Sequence, residues 1–96
     1  MITVRWSEES VNDLIAIRAF IARDSEVYAN RVVDQLIEAV EQLCLFPDSG
    51  REVPEKPGQS LRELIRPPYR IVYRSCGTET IEVVTVFHSA RLIDLP

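Results

Sequence analysis

The alternation of apolar and polar residues predicts a strand followed by two helices at the start of the chain. Residues 2–6 alternate with the period of a half-buried β-strand. Ser7 then stands at an N-cap position, and two glutamates follow in the first helical turn, where negative charge favours the helix dipole. Apolar residues at helical spacing continue from there. This pattern predicts a first helix that ends at about residue 23.

The next segment has the clearest helical period in the chain, and Asp24 or Ser25 is its predicted N-cap. Pro47 and Gly50 mark its end. The apolar positions that recur three and four residues apart are Ala29, Val32, Val33, Leu36, Ile37, Val40, Leu43 and Cys44. Because the connection to the first helix is short, the two helices are expected to form an antiparallel hairpin.

The second half of the chain has the period and composition of a β-sheet. Residues 48–60 predict an irregular loop, and residues 60–66, 69–75 and 80–88 predict three strands of an antiparallel meander. The last strand is apolar on nearly both sides, as expected for an inner strand that the helical hairpin covers on one face. The whole pattern predicts one α+β domain over residues 1–96, with a mostly antiparallel sheet.

Composition and charge narrow the function classes. The net charge is −4 and the pI is about 4.9, whereas proteins that bind nucleic acid mainly through phosphate neutralisation are usually basic. No apolar run is long enough for a transmembrane helix, and the start lacks the pattern of a secretory signal. A cytoplasmic location is therefore expected. Cys44 and Cys76 have no metal-ligand spacing, and no cofactor motif is present, so neither a metal nor a cofactor is expected.

Four arginines, Arg62, Arg66, Arg70 and Arg74, recur every four residues through two of the predicted strands. A guanidinium presents a planar fork of donors that matches phosphate or carboxylate. The cluster therefore indicates a binding surface. The simpler alternative is structural, because an arginine on a strand can pair with a glutamate on the neighbouring strand.

The order of elements, together with particular residues, resembles the RelE/ParE family of bacterial toxins. The resemblance covers nearly the whole chain. The matching pieces are Trp6-Ser7, Asp13-Leu14, Leu43, Pro47, Gly50-Arg51, Arg62, the segment 69–73, Val86-Phe87-His88 and Arg91. It implies a toxin of a type II toxin–antitoxin system, of the kind associated with plasmid stabilization. Its antitoxin would dock in apolar grooves beside the helical hairpin.

The resemblance leaves two activities open. A ParE-like toxin binds DNA gyrase and traps it on cleaved DNA, and Arg62, Arg66, Arg70, His88 and Arg91 would then contact the target. We favour this reading because the acidic pI suits a protein target and the ending of the chain is closer to that branch.

The alternative is a RelE-like ribonuclease that cuts messenger RNA on the ribosome. Arg70 would then stabilise the phosphate, His88 would act as a catalytic histidine, and Glu55 or Glu52 would be the base. A third possibility is an interaction domain of the same fold without toxicity.

The strand register decides whether Arg70 and His88 can form one catalytic site, because alternate residues of a strand face opposite sides of the sheet. If Ser75 lies opposite Ile81, unbroken pairing places Arg70 on the same face as His88. If Ser75 lies opposite Thr80, His88 points to the other face.

Overall fold

The computed structural model describes residues 2–89, in which two helices cover one face of a five-stranded sheet. The elements are β1 (Thr3–Trp6), α1 (Glu8–Ala22), α2 (Glu26–Glu41), a 3₁₀ turn (Gln42–Cys44), β2 (Arg51–Glu52), β3 (Leu61–Arg66), β4 (Tyr69–Cys76) and β5 (Thr80–His88). The α+β class, the helical pair and the three C-terminal strands predicted from the sequence are confirmed.

Serine side chains begin both helices. The Ser7 hydroxyl accepts a hydrogen bond from the Ser10 N–H at 3.0 Å, and the Ser25 hydroxyl accepts one from the Tyr28 N–H at 3.1 Å. Each hydroxyl satisfies an N–H group that the helix itself leaves without a partner. Of the two candidates for the second cap, Ser25 is therefore the residue that caps α2.

The strands lie in the order β1-β5-β4-β3-β2. β1 pairs in parallel with the first half of β5, and the other neighbours are antiparallel. β5 is thus an inner strand, as its apolar sequence predicts. The sequence did not predict β2, which is only two residues long and lies inside the expected loop. Arg51 and Glu52 pair there with Glu63 and Arg62 of β3.

One tyrosine fixes the segment that leads into β2. The buried Tyr73 hydroxyl donates to the Pro47 carbonyl at 2.9 Å and accepts from the Gly50 N–H at 2.9 Å. A Cβ at position 50 would lie 2.5 Å from that hydroxyl and 2.7 Å from the Glu63 carbonyl oxygen. Position 50 therefore accepts only glycine without a shift of the backbone, and this close packing aligns β2 with β3.

The pairing of β4 with β5 contains a β-bulge. Ser75 lies opposite Ile81, but the register shifts by one residue after Tyr73, so that Arg70 lies opposite Phe87 instead of Val86. Because a bulge adds one residue to one strand, it reverses which face the following side chains occupy. Ser75 thus lies opposite Ile81, as a shared face for Arg70 and His88 requires. That expectation also assumed unbroken pairing, and the bulge places the two residues on opposite faces.

The sheet separates two apolar clusters. The larger one lies between the helices and the sheet and includes Leu36 and Tyr73, and we call this side of the sheet the helix face. The smaller one, Val53, Leu61, Val72 and Phe87, lies on the opposite side, which we call the outer face. Within residues 2–89, neither helix has the length and apolar character needed to cross a bilayer. The same residues contain no group of three or more metal-binding side chains.

Candidate functional site

The four arginines of the predicted ladder do not form one surface. Cross-strand partners share a face of the sheet, and Arg66 pairs with Tyr69 whereas Arg70 pairs with Ile65. The two-residue turn between β3 and β4 therefore places Arg62 and Arg66 on the helix face and Arg70 and Arg74 on the outer face. A spacing of four residues keeps side chains on one face only within a single strand.

Arg70 lies at the centre of an ion cluster on the outer face, which we call the Arg70 cluster and which consists of Arg51, Glu55, Glu63 and Arg70. The Arg70 Nε donates to the Glu63 carboxylate at 2.8 Å, and Nη2 donates to the same oxygen. Nη1 and Nη2 form a bidentate pair with Glu55, each at 2.8 Å. Arg51 donates to the second Glu63 oxygen at 2.7 Å. Charges of opposite sign therefore alternate through the cluster.

Burial differs sharply within the Arg70 cluster. The Glu63 side chain is fully buried and that of Arg70 is 10% exposed, whereas Glu55 is 41% exposed. The guanidinium carbon of Arg70 also lies 5.0 Å from the centre of the Phe87 ring, within the range of a cation–π contact. The cluster thus has a buried centre, Glu63 and Arg70, and two exposed ends, Arg51 in β2 and Glu55 in the loop after it.

The guanidinium of Arg70 has almost no donor left for a ligand. It carries five N–H groups, and its four hydrogen bonds to Glu55 and Glu63 use four of them. The hydrogen bond from Arg70 lowers the pKa of Glu55 from 4.5 to about 2, and Glu55 in turn raises the pKa of Arg70 above its ordinary value. Both groups are charged at neutral pH, and neither is poised to exchange a proton there.

The bulge places His88 on the helix face, opposite Tyr69, and therefore on the other side of the sheet from Arg70. The two residues do not form the composite site that the unbroken register would have allowed. Asp13 of α1 holds the bulge: its carboxylate accepts from the Thr85 hydroxyl at 2.6 Å and from the Val86 N–H at 3.0 Å. The helix thus contacts β5 directly after the bulge, where the last residues of the strand change face.

His88 belongs instead to a row of three side chains across the helix face, which we call the Arg66–Tyr69–His88 row. Arg66 lies opposite Tyr69, and Tyr69 lies opposite His88, with the two rings in edge contact at 5.8 Å between centroids. Two grooves border this row. One of about 350 Å³ is lined by Ile17, Phe20, Tyr69 and His88 among others, and the other, of about 130 Å³, is lined by Tyr28, Arg66 and Tyr69 among others.

The remaining candidate residues lie apart from both groups. Arg62 donates to the Gly50 carbonyl at 2.8 Å and so supports the β2 connection. Arg74 pairs with Glu82 at 2.7 Å near the far end of the outer face. Glu52 is exposed in β2. Arg91 lies outside the described residues.

Sequence reasoning named Glu63 only as a possible partner of Arg70, and it did not give Asp13 a role. The signal for Glu63 is an acidic residue between Leu61 and Ile65 on one face of β3, and a buried carboxylate requires cations nearby. The signal for Asp13 is an acidic residue beside the apolar positions of α1 that face the sheet. Neither signal identifies a partner, because the partner depends on the bulge and on the packing of α1.

Comparison with known proteins identifies relatives over nearly the full chain. Residues 4–93 match the model of a family described as the ParE toxin of a type II toxin–antitoxin system, parDE. A putative toxin, Y4kP, of Sinorhizobium fredii is 37% identical over 90% of this chain and 86% of its own length. Toxin RelE2 of Caulobacter vibrioides is 34% identical over 96% of this chain and its own full length.

Two solved structures share the fold. A chain of the chromosomal ParDE toxin–antitoxin system from P. aeruginosa superposes with a TM-score of 0.73 at 22% identity, covering 92% of this chain and 96% of its own. A chain of the RelBE2 toxin–antitoxin complex from Mycobacterium tuberculosis gives a TM-score of 0.68 at 21% identity, with coverages of 91% and 96%. The strand order and the two-helix layer described above are thus those of toxin–antitoxin structures.

Proposed function

Because the chain belongs to the ParE toxin family of type II toxin–antitoxin systems, we propose that it inhibits DNA gyrase and that a cognate antitoxin neutralises it. The observation that carries this proposal is the separation of Arg70 from His88 by the sheet. Cleavage of RNA requires a base, an acid and a cation around one phosphate. Here the cation is bound by two carboxylates, and the histidine lies on the other face. Target recognition without catalysis fits this arrangement better.

The Arg66–Tyr69–His88 row is the proposed target contact. It contains an arginine and a tyrosine, which are among the side chains enriched in protein–protein hot spots, and the Tyr69 ring is in edge contact with His88. Arg62 lies on the same face, and Arg91 belongs to the target-binding set by the resemblance alone. Arg70 can contact the target only if Glu55 no longer occupies its guanidinium. The antitoxin would cover the grooves beside the row, where the apolar side chains Ile17 and Phe20 lie.

A supercoiling assay with purified gyrase tests the proposal. The toxin is expected to block supercoiling of relaxed plasmid and to increase cleaved DNA, and the antitoxin is expected to reverse both effects. Arg66→Glu should weaken inhibition by roughly tenfold or more, because a reversed charge at an interface repels the partner. Arg74→Glu, a reversal on the outer face, is the matched control and should stay within about twofold. Full gyrase activity at a large excess of toxin would refute the proposal.

The ribonuclease activity remains the second candidate, because the glutamate and the arginine that it requires lie next to each other, although it needs their ion pair to open first. In a translating extract it predicts cut messenger RNA, and Arg70→Ala or His88→Ala would abolish cutting. Intact messenger at high toxin concentration, together with gyrase inhibition in the supercoiling assay, would exclude it. Harmless expression of the chain without its antitoxin would contradict both activities and favour an interaction domain.

A further inference from the structure

The loop of residues 53–60, which we call the latch loop, is connected to the sheet through few contacts. Val53 is fully buried, and its N–H donates to the Leu61 carbonyl at 3.2 Å. Beyond Val53, the side-chain hydrogen bonds from the latch loop to the sheet within residues 2–89 are the two between Glu55 and Arg70. Gly58 and Ser60 have φ of 78° and 58°, in the left-handed region. Residues 54–60 can therefore lift from the sheet when the Glu55–Arg70 ion pair breaks, while Val53 stays buried.

Lifting the loop would create a cation with a defined shape. The Arg70 cluster contains two cations and two anions, and without Glu55 its charge is 2 − 1 = +1. Glu63 would keep Arg70 in place through Nε, while the edge formed by Nη1 and Nη2 would become available. That edge already holds a carboxylate in a planar bidentate arrangement with both distances at 2.8 Å, against the ring of Phe87. The site is thus preorganised for another carboxylate.

We infer that Arg70 and Phe87 form a binding site for a glutamate or aspartate side chain of a partner protein, and that Glu55 occupies this site until the partner displaces it. The exchange replaces one carboxylate with another, so the strong hydrogen bonds of Arg70 are kept. The cost is the breaking of the Glu55–Arg70 ion pair. The apparent affinity for the partner is therefore the intrinsic affinity multiplied by the fraction of molecules in which the loop is open. This inference extends beyond the proposed function, since it concerns the ligand of Arg70 and holds for either target.

The test measures peptide binding at Arg70 directly. The probe is the blocked peptide acetyl-Ala-Glu-Ala-amide, with acetyl-Ala-Gln-Ala-amide as the neutral control, at constant ionic strength. The readout is the ¹H–¹⁵N resonance of the Arg70 Nε–H group, and the backbone amides of β4 and β5 report whether the fold is intact. Glu55→Ala should bind the glutamate peptide saturably and about tenfold or more tightly than the unmodified chain, because the internal competitor is gone.

Control variants keep the result interpretable. Glu79→Ala removes an exposed glutamate from the turn between β4 and β5 and should behave as the unmodified chain does. If Glu55→Ala fails to fold, Glu55→Gln keeps the size of the side chain and should still bind more tightly than the unmodified chain. The inference is wrong if no folded Glu55 variant shows a saturable shift, or if the glutamine peptide shifts the resonance equally. Tighter binding of inorganic phosphate than of the glutamate peptide would also overturn it.

Discussion

At the scale of single residues, the Tyr73 hydroxyl has a structural role that no sequence motif marks. Tyr73 is buried, and its hydroxyl forms hydrogen bonds with the Pro47 carbonyl and the Gly50 N–H in the segment that leads into β2. Tyr73→Phe should lower the free energy of unfolding by about 1–3 kcal/mol, because the Pro47 and Gly50 groups lose a buried partner. Urea unfolding measures this difference. Tyr28→Phe, at an exposed tyrosine of α2, is the matched control and should change stability by less than about 0.5 kcal/mol. Equal effects of the two substitutions would contradict the role assigned to Tyr73.

Glu55 gives a pH-dependent prediction at the same scale. Its pKa is lowered from 4.5 to about 2 in the folded chain, mainly by the hydrogen bond from Arg70. A lowered pKa stabilises the fold above the ordinary value, and this stabilisation is lost as the pH falls from about 4.5 towards 2. The stability difference between the unmodified chain and Glu55→Gln should therefore shrink across that window. Urea unfolding between pH 6 and pH 2 checks it, with Glu79→Gln as the control for removing one negative charge. A difference that stays constant with pH would show that Glu55 does not contribute through its charge.

At the scale of elements, the bulge in β5 decides which residues can act together. It forms where the Asp13 carboxylate binds Val86 and Thr85, so a residue of α1 supports an irregularity in a strand far along the chain. Bulges commonly redirect a side chain near a functional site. The consequence here is that the helix face receives His88 and the outer face keeps Arg70.

Asp13→Ala should destabilise the fold by about 1–3 kcal/mol, because it leaves the Val86 N–H and the Thr85 hydroxyl without their acceptor. Amide hydrogen exchange localises the effect: Val86 should exchange faster, whereas Val83, before the bulge, should change only with global stability. Asp34→Ala, at an exposed position of α2, is the control and should leave both rates unchanged. Unchanged exchange at Val86 in Asp13→Ala would mean that the strand holds the bulge without the helix.

Sequence periodicity was sufficient to predict the long helices and strands, but it did not predict the shortest strand, β2. α2 and β5 are predicted well because many apolar positions repeat with one period. β2 has two exposed residues and no period of its own, so only its pairing with β3 defines it. The site could be predicted in part for the same reason. Arg70 stands out by residue type, but its partners depend on a loop and a buried glutamate that local patterns do not connect.

At the scale of the whole molecule, the sheet divides the chain into two surfaces of different character. The helix face carries the Arg66–Tyr69–His88 row and its grooves, and the outer face carries the Arg70 cluster. A binding partner on one face need not touch the other. In the proposed function the target row and the antitoxin grooves both lie on the helix face, so the two partners compete, whereas a partner of the Arg70 cluster binds the outer face.

Overall charge leads to a prediction about nucleic acids. With a net charge of −4 and arginines divided between two faces, the chain lacks the concentrated positive surface that releases counterions from DNA. The toxin alone should not change the fluorescence anisotropy of a labelled duplex at concentrations up to about 10 μM in physiological salt, where non-specific DNA-binding proteins begin to bind. Adding gyrase should give a signal that increases further with toxin, because the proposed toxin reaches DNA only through the enzyme, and gyrase alone provides the baseline. Direct binding of the toxin to duplex or messenger RNA, with a steep loss of affinity as salt rises, would instead identify a nucleic-acid target and favour the ribonuclease.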